Sequence, residues 1–121
     1  MAKIAFLFAG QGAQYPGMGR DFYETNEAAQ RVFEIADQLR PGTSAQCFAG
    51  SKEEMAITKN TQPLVFTVDL AIAEALRSRG VKADAVAGFS LGELAALTFA
   101  GAFIKEQGFA LVQKRAALMQ K

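Results

Sequence analysis

A serine flanked by two glycines places the strongest restriction on how this chain folds. Residues 88–92 read Gly-Phe-Ser-Leu-Gly, between a short apolar run at 83–87 and a mostly apolar segment at 91–99. The pattern G-x-S-x-G is typical of a nucleophile elbow, a sharp strand-to-helix turn that lifts a serine hydroxyl above a sheet. The glycines let neighbouring backbone approach closely, while the serine adopts a strained conformation. The motif predicts a strand that ends before Ser90 and a helix from Leu91 whose free N–H groups point toward the serine.

The sequence contains no histidine. A serine hydroxyl is a poor nucleophile unless a neighbouring base takes its proton, and histidine is the usual base. Two interpretations follow: Ser90 is not catalytic, or the chain is only part of the catalytic unit. A strand–glycine–helix junction can also be purely structural, so the five residues alone leave both interpretations open.

Length and composition limit the class of protein. The chain has 121 residues, half of them hydrophobic, which is enough for one domain with a core. A net charge of +1 without blocks of like charge gives no indication of nucleic-acid binding. The single cysteine, Cys47, excludes an internal disulfide and a cysteine-based zinc site, and it fits a reducing cytosol. The apolar N-terminus is too short for a signal peptide or a membrane span. We therefore expect a cytoplasmic protein with no nucleic-acid or membrane partner and no metal site.

Apolar spacing predicts two strands separated by helices. The run at 3–8 indicates a strand buried on both faces of a parallel sheet, and 83–87 indicates a second strand. Helices are predicted at 21–39, after a capping box at Ser51 and Glu54, from Thr61 with Pro63 to about 79, at 91–99 and at 105–121. The helix that ends near 79 has a single buried face, formed by Leu64, Val65, Val68, Ile72, Ala75 and Leu76. The order indicates an α/β fold with a parallel sheet. Two strands are too few for a finished sheet, so we expect an incomplete core.

A glycine-rich loop follows the first strand, with Gly10-Gln11-Gly12-Ala13-Gln14 at its start. Tyr15 stands where the dinucleotide fingerprint needs a glycine, and the loop has no P-loop lysine. The loop is then either a flexible surface turn or the source of a donor, from Gln11, above the serine. An oxyanion hole needs two donors, one from the residue after the nucleophile, here Leu91, and one from another loop.

Arg115 lies in the last predicted helix, where an arginine is by default solvated. If its side chain faced inward near Ser90, its planar fork would match a carboxylate in two parallel hydrogen bonds. The sequence by itself favours the solvated side chain.

Taken together, these segments resemble the malonyl-CoA:acyl-carrier-protein transacylases of fatty acid synthesis and the related acyltransferase domains of polyketide synthases. The resemblance covers the whole chain in the family's order and spacing. Its matching residues are FAGQGAQ at 8–14, GMG at 17–19, TQP at 61–63, AGFSLGE at 87–93, and Lys114 and Arg115 before Leu118 and Met119.

The resemblance implies a fold and a set of roles. Residues 1–121 would form the N-terminal part of an α/β-hydrolase-like core, with a ferredoxin-like subdomain beyond residue 121. Ser90 would take malonyl from coenzyme A as an ester and pass it to the phosphopantetheine thiol of acyl carrier protein. Gln11 and the N–H of Leu91 would form the oxyanion hole, Arg115 would bind the malonyl carboxylate, and Gln62 would line the pocket. No cofactor is implied beyond the phosphopantetheine of the partner.

The sequence departs from the family at two points. Phe89 stands before the nucleophile where the family often has histidine, and we expect this residue to tune the pocket. The family's catalytic histidine lies past residue 121, so activity would need the remaining C-terminal portion as a partner. Two alternatives stay open: a generic serine esterase of α/β-hydrolase type, in which Arg115 has no special role, and a non-catalytic fragment that binds a partner chain.

Overall fold

A parallel pair of strands sets the position of the serine. In the computed structural model, which describes residues 2–120, strand β1 (Ala5–Phe8) pairs with strand β2 (Ala85–Gly88). Ala5 lies opposite Ala85, and Phe8 lies opposite Gly88. Parallel strands end at the same edge of a sheet, so the glycine loop after β1 and the elbow after β2 emerge side by side. The predicted α/β class is confirmed.

Seven helices accompany the strands within residues 2–120. Five lie between the strands and two follow β2: α1 (Arg20–Thr25), α2 (Glu27–Leu39), α3 (Thr43–Ala49), α4 (Lys52–Met55), α5 (Thr58–Ser78), α6 (Leu91–Phe99) and α7 (Lys105–Met119). Helix α5 is the centre of the structure and contacts α2, α6 and α7. Its residues Leu64, Phe66 and Leu70 are fully buried. Because these neighbours surround the first half of α5, residues 61–68 are buried on every side, and the prediction of a single buried face was wrong there.

Helix boundaries agree with the sequence where caps are local. The capping box predicted at Ser51 and Glu54 opens α4, with both reciprocal hydrogen bonds present.

Two features of the first three helices differ from the prediction. Helix α3 was not predicted. The single helix expected at 21–39 is wrong, because Asn26 has extended backbone and divides it into α1 and α2. The Asn26 side chain accepts a hydrogen bond from the Ala29 N–H at 3.0 Å and so caps α2.

Pro63 does not open a helix. Helix α5 begins at Thr58, and Pro63 lies inside it, contrary to the predicted start at Thr61. A proline lacks the N–H that would bond to the preceding turn, so one hydrogen bond of α5 is missing there. The surrounding packing stabilises the helix, since Pro63 and its neighbours are buried.

Among the described residues, only one face of strand β1 is covered. Phe6 and Phe8 point toward α6, where their rings lie 5.5 and 5.8 Å from the ring of Phe99. Leu7, on the opposite face, is 80% exposed. The prediction of a strand buried on both faces is therefore wrong for this part of the fold. Between residues 2 and 120 no helix is both long enough and apolar enough to span a membrane.

Candidate active site

Ser90 occupies the turn between β2 and α6 in a strained backbone conformation. Its φ is 58° and its ψ is −117°, and it is the sole non-glycine residue of the described chain with positive φ. Such a conformation costs on the order of 1–3 kcal/mol and persists only where surrounding structure enforces it. The elbow predicted from the sequence is present.

The two motif glycines are needed for close packing. A Cβ on Gly88 would collide with the backbone of Gly92, and a Cβ on Gly92 would collide with the carbonyl oxygen of Phe8. Helix α6 therefore starts directly against the end of β1. This contact fixes the height of Ser90 above the strands, since the elbow cannot move without moving α6.

The first turn of α6 offers a backbone donor beside the serine. The N–H of Gly92 donates to the carbonyl of Phe89, and that of Glu93 donates to the carbonyl of Ser90, both at 3.1 Å. Leu91 is the first residue of α6, where a backbone N–H has no partner within its own helix. The side chain of Leu91 is fully buried, which anchors this turn. The geometry suits a donor to an oxyanion on an acyl-serine.

The glycine loop after β1 borders the elbow. A Cβ on Gly10 would lie 3.3 Å from the carbonyl oxygen of Phe89. Gln11 itself is exposed, and its side-chain amide donates to Thr58 Oγ1 at 3.2 Å. Gln11 thus joins the loop to the start of α5. Phe89, the residue before the serine, is 90% exposed.

Arg115 faces the serine. Its Nη2 donates to Ser90 Oγ at 2.8 Å, and its Nη1 donates to Gln62 Oε1 at 2.7 Å. The solvated side chain that the sequence alone favoured was therefore wrong. The cause is the packing of α7 on α5, in which Val112 and Ala116 are buried and carry Arg115 with them.

Gln62 connects the arginine to the interior. It is fully buried on α5, and its amide nitrogen donates to Met119 Sδ at 3.4 Å. A buried amide needs its hydrogen bonds satisfied, so these two partners hold the Gln62 side chain in one orientation. Gln62 in turn fixes the position of the guanidinium.

Neither Thr58 nor Met119 was predicted from the sequence to be a site residue. Thr58 stands four residues before Gln62 on α5, and Met119 stands four residues after Arg115 on α7. Side chains four apart on a helix share a face, so this spacing could have marked both as neighbours of the site. The start of α5 and the end of α7 also meet at a second point, where Lys59 N–H donates to Gln120 Oε1 at 2.9 Å.

Cys47 and Asp69 lie away from the serine, and burial shifts the pKa of each. Burial raises the pKa of the Cys47 thiol to about 12, which keeps it protonated and unreactive. Burial also raises the pKa of the Asp69 carboxyl on α5 to about 7, opposed by a hydrogen bond from the Ala9 backbone. Asp69 lines a groove along β1, and among the described residues no hydrogen bond joins it to Ser90.

The parallel strands and the serine elbow define an α/β protein of the hydrolase-like class. Residues 5–121 match the acyl transferase domain family, and the chain belongs to that family.

Comparisons with known proteins show which members of the family this chain resembles. The chain is 43% identical to the malonyl CoA-acyl carrier protein transacylase of Bacillus subtilis strain 168, across 100% of this chain and 38% of that protein. The crystal structure of the malonyl CoA-acyl carrier protein transacylase from Clostridium perfringens superimposes with a TM-score of 0.92 at 42% identity. That match covers 99% of this chain and 38% of the other. A malonyl-transacylase in complex with its type II polyketide synthase acyl-carrier protein gives a TM-score of 0.91 at 34% identity, over 98% and 39% of the two chains. The chain thus spans about two fifths of the length of these relatives.

Proposed function

We propose that this chain carries the nucleophile and the carboxylate-binding arginine of a malonyl-CoA:acyl-carrier-protein transacylase. The observation that carries the proposal is the hydrogen bond between Arg115 Nη2 and Ser90 Oγ. Residues 1–121 would form the N-terminal part of a hydrolase-like acyltransferase core. The named relatives support this assignment, because they are malonyl transacylases.

The distance between arginine and serine fits the malonyl group. Malonyl has one methylene between its thioester carbonyl and its free carboxylate. A guanidinium within hydrogen-bond reach of the nucleophile therefore reaches the carboxylate of the acyl group that the nucleophile attacks. A guanidinium also pairs with a carboxylate in fixed geometry, which acetyl cannot use. Gln62, behind the guanidinium, would keep that geometry.

Acyl transfer would proceed through an ester on Ser90. The Oγ–C bond forms as the serine attacks the thioester carbonyl, and the C–S bond breaks to release the coenzyme A thiol. The N–H of Leu91 and a donor from Gln11 would stabilise the oxyanion. For Gln11 this requires its side chain to leave Thr58, or its backbone to serve as the donor. The phosphopantetheine thiol of acyl carrier protein then attacks the ester and takes the malonyl group, restoring the serine hydroxyl.

The proton of Ser90 needs an acceptor. The sequence has no histidine, so the base would come from outside these 121 residues. We propose a histidine in that role, as in other serine acyl-transfer sites. A cytoplasmic setting, the fatty acid route and acyl carrier protein as partner belong to the same proposal. The relative solved with its acyl-carrier protein supports the partner.

Mass spectrometry tests the proposal directly. The full-length natural polypeptide that carries this sequence is incubated briefly with malonyl-CoA and its intact mass is measured. We expect a gain of one malonyl group that Ser90→Ala abolishes. Failure to gain the group, or its retention in Ser90→Ala, would contradict the proposal.

Arg115→Ala separates the transacylase from a generic esterase. The transacylase loses acylation by malonyl-CoA selectively, by about a hundredfold or more, because the ion pair between the guanidinium and the substrate carboxylate is lost. In the esterase, the variant would affect acylation by malonyl-CoA and acetyl-CoA equally. A partner-binding fragment without catalysis would be indifferent to Ser90→Ala.

A further inference from the structure

The guanidinium that would bind substrate is already occupied. Arg115 Nη2 donates to the nucleophile itself, Ser90 Oγ, at 2.8 Å. A serine hydroxyl has one O–H and two lone pairs, and a charged donor holds a lone pair more tightly than a neutral donor does. In this state the attacking atom is engaged as a hydrogen-bond acceptor and is less available to a carbonyl carbon.

Gln62 allows Arg115 to exchange one hydrogen-bond acceptor for another while the guanidinium stays in place. The other guanidinium nitrogen, Nη1, donates to Gln62 Oε1 at 2.7 Å, and Gln62 is fully buried. One end of the fork is therefore anchored in the interior, while the other end lies at the exposed serine. Of the Arg115 hydrogen bonds seen within residues 2–120, only the one to Ser90 has to break when a new acceptor arrives.

We propose that Ser90 is held by Arg115 until a carboxylate replaces it, so that the free carboxylate of the acyl donor releases the nucleophile. This inference rests on the proposed function and adds a gate to it. The gate is the hydrogen bond from Arg115 Nη2 to Ser90 Oγ, which must break before acylation. A carboxylate is the stronger acceptor for a guanidinium, because both partners are charged. Selection for malonyl would then act on the rate of acylation as well as on binding, since an acyl group without a carboxylate meets a restrained serine.

Formate provides a specific test. An acetyl group and a formate ion together reproduce the two halves of a malonyl group, so formate can occupy Arg115 while acetyl-CoA presents its carbonyl. We expect formate to raise acetyl transfer by the full-length natural polypeptide by about ten- to a hundredfold, the size of effect that follows when a hydrogen bond to a charged group is removed. Formate should inhibit malonyl transfer competitively. An arginine that only binds substrate predicts inhibition or no change with both donors.

Two controls identify the site of the effect. Formamide has the shape of formate without its charge and should leave acetyl transfer unchanged. Arg115→Ala removes the gate, so formate should no longer stimulate it. Stimulation by formamide, or stimulation that survives in Arg115→Ala, would overturn the gate.

A structure determined with malonate gives an answer that does not depend on turnover. We expect a carboxylate on Arg115 and a Ser90 Oγ that has left Nη2, with Gln62 still bound to Nη1. A carboxylate bound while the Ser90 contact persists, or an Arg115 without bound carboxylate at saturating malonate, would overturn the proposal.

Failure of the proposed function and failure of the gate give different results. Equal loss of malonyl and acetyl transfer in Arg115→Ala rejects the transacylase, whereas selective malonyl loss without formate stimulation rejects only the gate.

Discussion

Gln62 and Arg115 lie 53 residues apart in the chain and share a hydrogen bond of 2.7 Å between Oε1 and Nη1. The bond joins α5 to α7 behind the serine. Its location inside the protein gives the arginine a fixed point from which its other nitrogen reaches Ser90 Oγ. Ser90 is therefore connected to the core through a charged side chain.

Loss of the Gln62 side chain should weaken recognition of a carboxylate. In Gln62→Ala the guanidinium loses its buried acceptor, and a buried unpaired donor costs about 1–3 kcal/mol. We expect malonyl transfer to fall by about tenfold or more, mainly through KM, with acetyl transfer changed less. Steady-state kinetics with both thioesters measures the split. Gln38→Ala, which removes an exposed glutamine on α2, is the matched control and should behave as wild type. Equal losses for both donors in Gln62→Ala would show that Gln62 has only a structural role.

Gly92→Ala tests the contact between α6 and β1. Alanine favours a helix over glycine by about 1 kcal/mol, so a purely local effect would stabilise the protein. The added Cβ would instead meet the Phe8 carbonyl, and we expect destabilisation of about 3 kcal/mol or failure to fold. Denaturant unfolding gives the sign. Gly42→Ala is the comparison, because its Cβ points into open space and only its φ of 85° is unfavourable, at a cost of about 1–2 kcal/mol. A Gly92→Ala protein more stable than wild type would contradict the packing described here.

Ser90→Gly should make the protein more stable and inactive. Glycine accepts the positive φ of this position without the steric cost that serine bears. The gain should be about 1 kcal/mol, reduced by the greater flexibility of glycine in the unfolded chain. Ser90→Ala keeps a Cβ and should show no such gain. Thermal unfolding of the two variants decides the matter, and equal stability would mean that the elbow holds no strain.

Asp69 should make the free energy of unfolding fall as the pH rises, which is opposite to the usual effect of a carboxyl group. Burial raises its pKa from an ordinary 3.8 to about 7, so the folded protein keeps the proton over a range where the unfolded chain releases it. The stabilisation is complete below about pH 4 and is lost as the pH rises through 7. Asp69→Asn should remove this loss and make the protein a few kcal/mol more stable than wild type at pH 8. Unfolding free energies at pH 5 and pH 8 provide the measurement. Glu34→Gln, on the exposed side of α2, is the control and should leave the slope unchanged. A slope unaffected by Asp69→Asn would assign the pH dependence to other groups.

Local patterns in the sequence predicted the serine site well. The elbow, the start of α6 at Leu91 and the capping box at Ser51 depend on residues within one turn of each other, and the structure has all three. The roles of Ser90, Gln11, Leu91, Gln62 and Arg115 in acyl transfer remain predictions. What the structure adds is that Arg115 donates to both Gln62 and Ser90, whereas the side chain of Gln11 bonds to Thr58.

The amino-acid sequence by itself determined the α/β class and the place of the serine, because period, caps and glycines act over a few residues. Only the tertiary structure decided which way Arg115 faces and which side of β1 is covered. Both depend on packing between segments far apart in the chain. The packing of α7 on α5 turns Arg115 inward, and α6 covers the face of β1 that carries Phe6 and Phe8, whereas Leu7 lies on the opposite, exposed face.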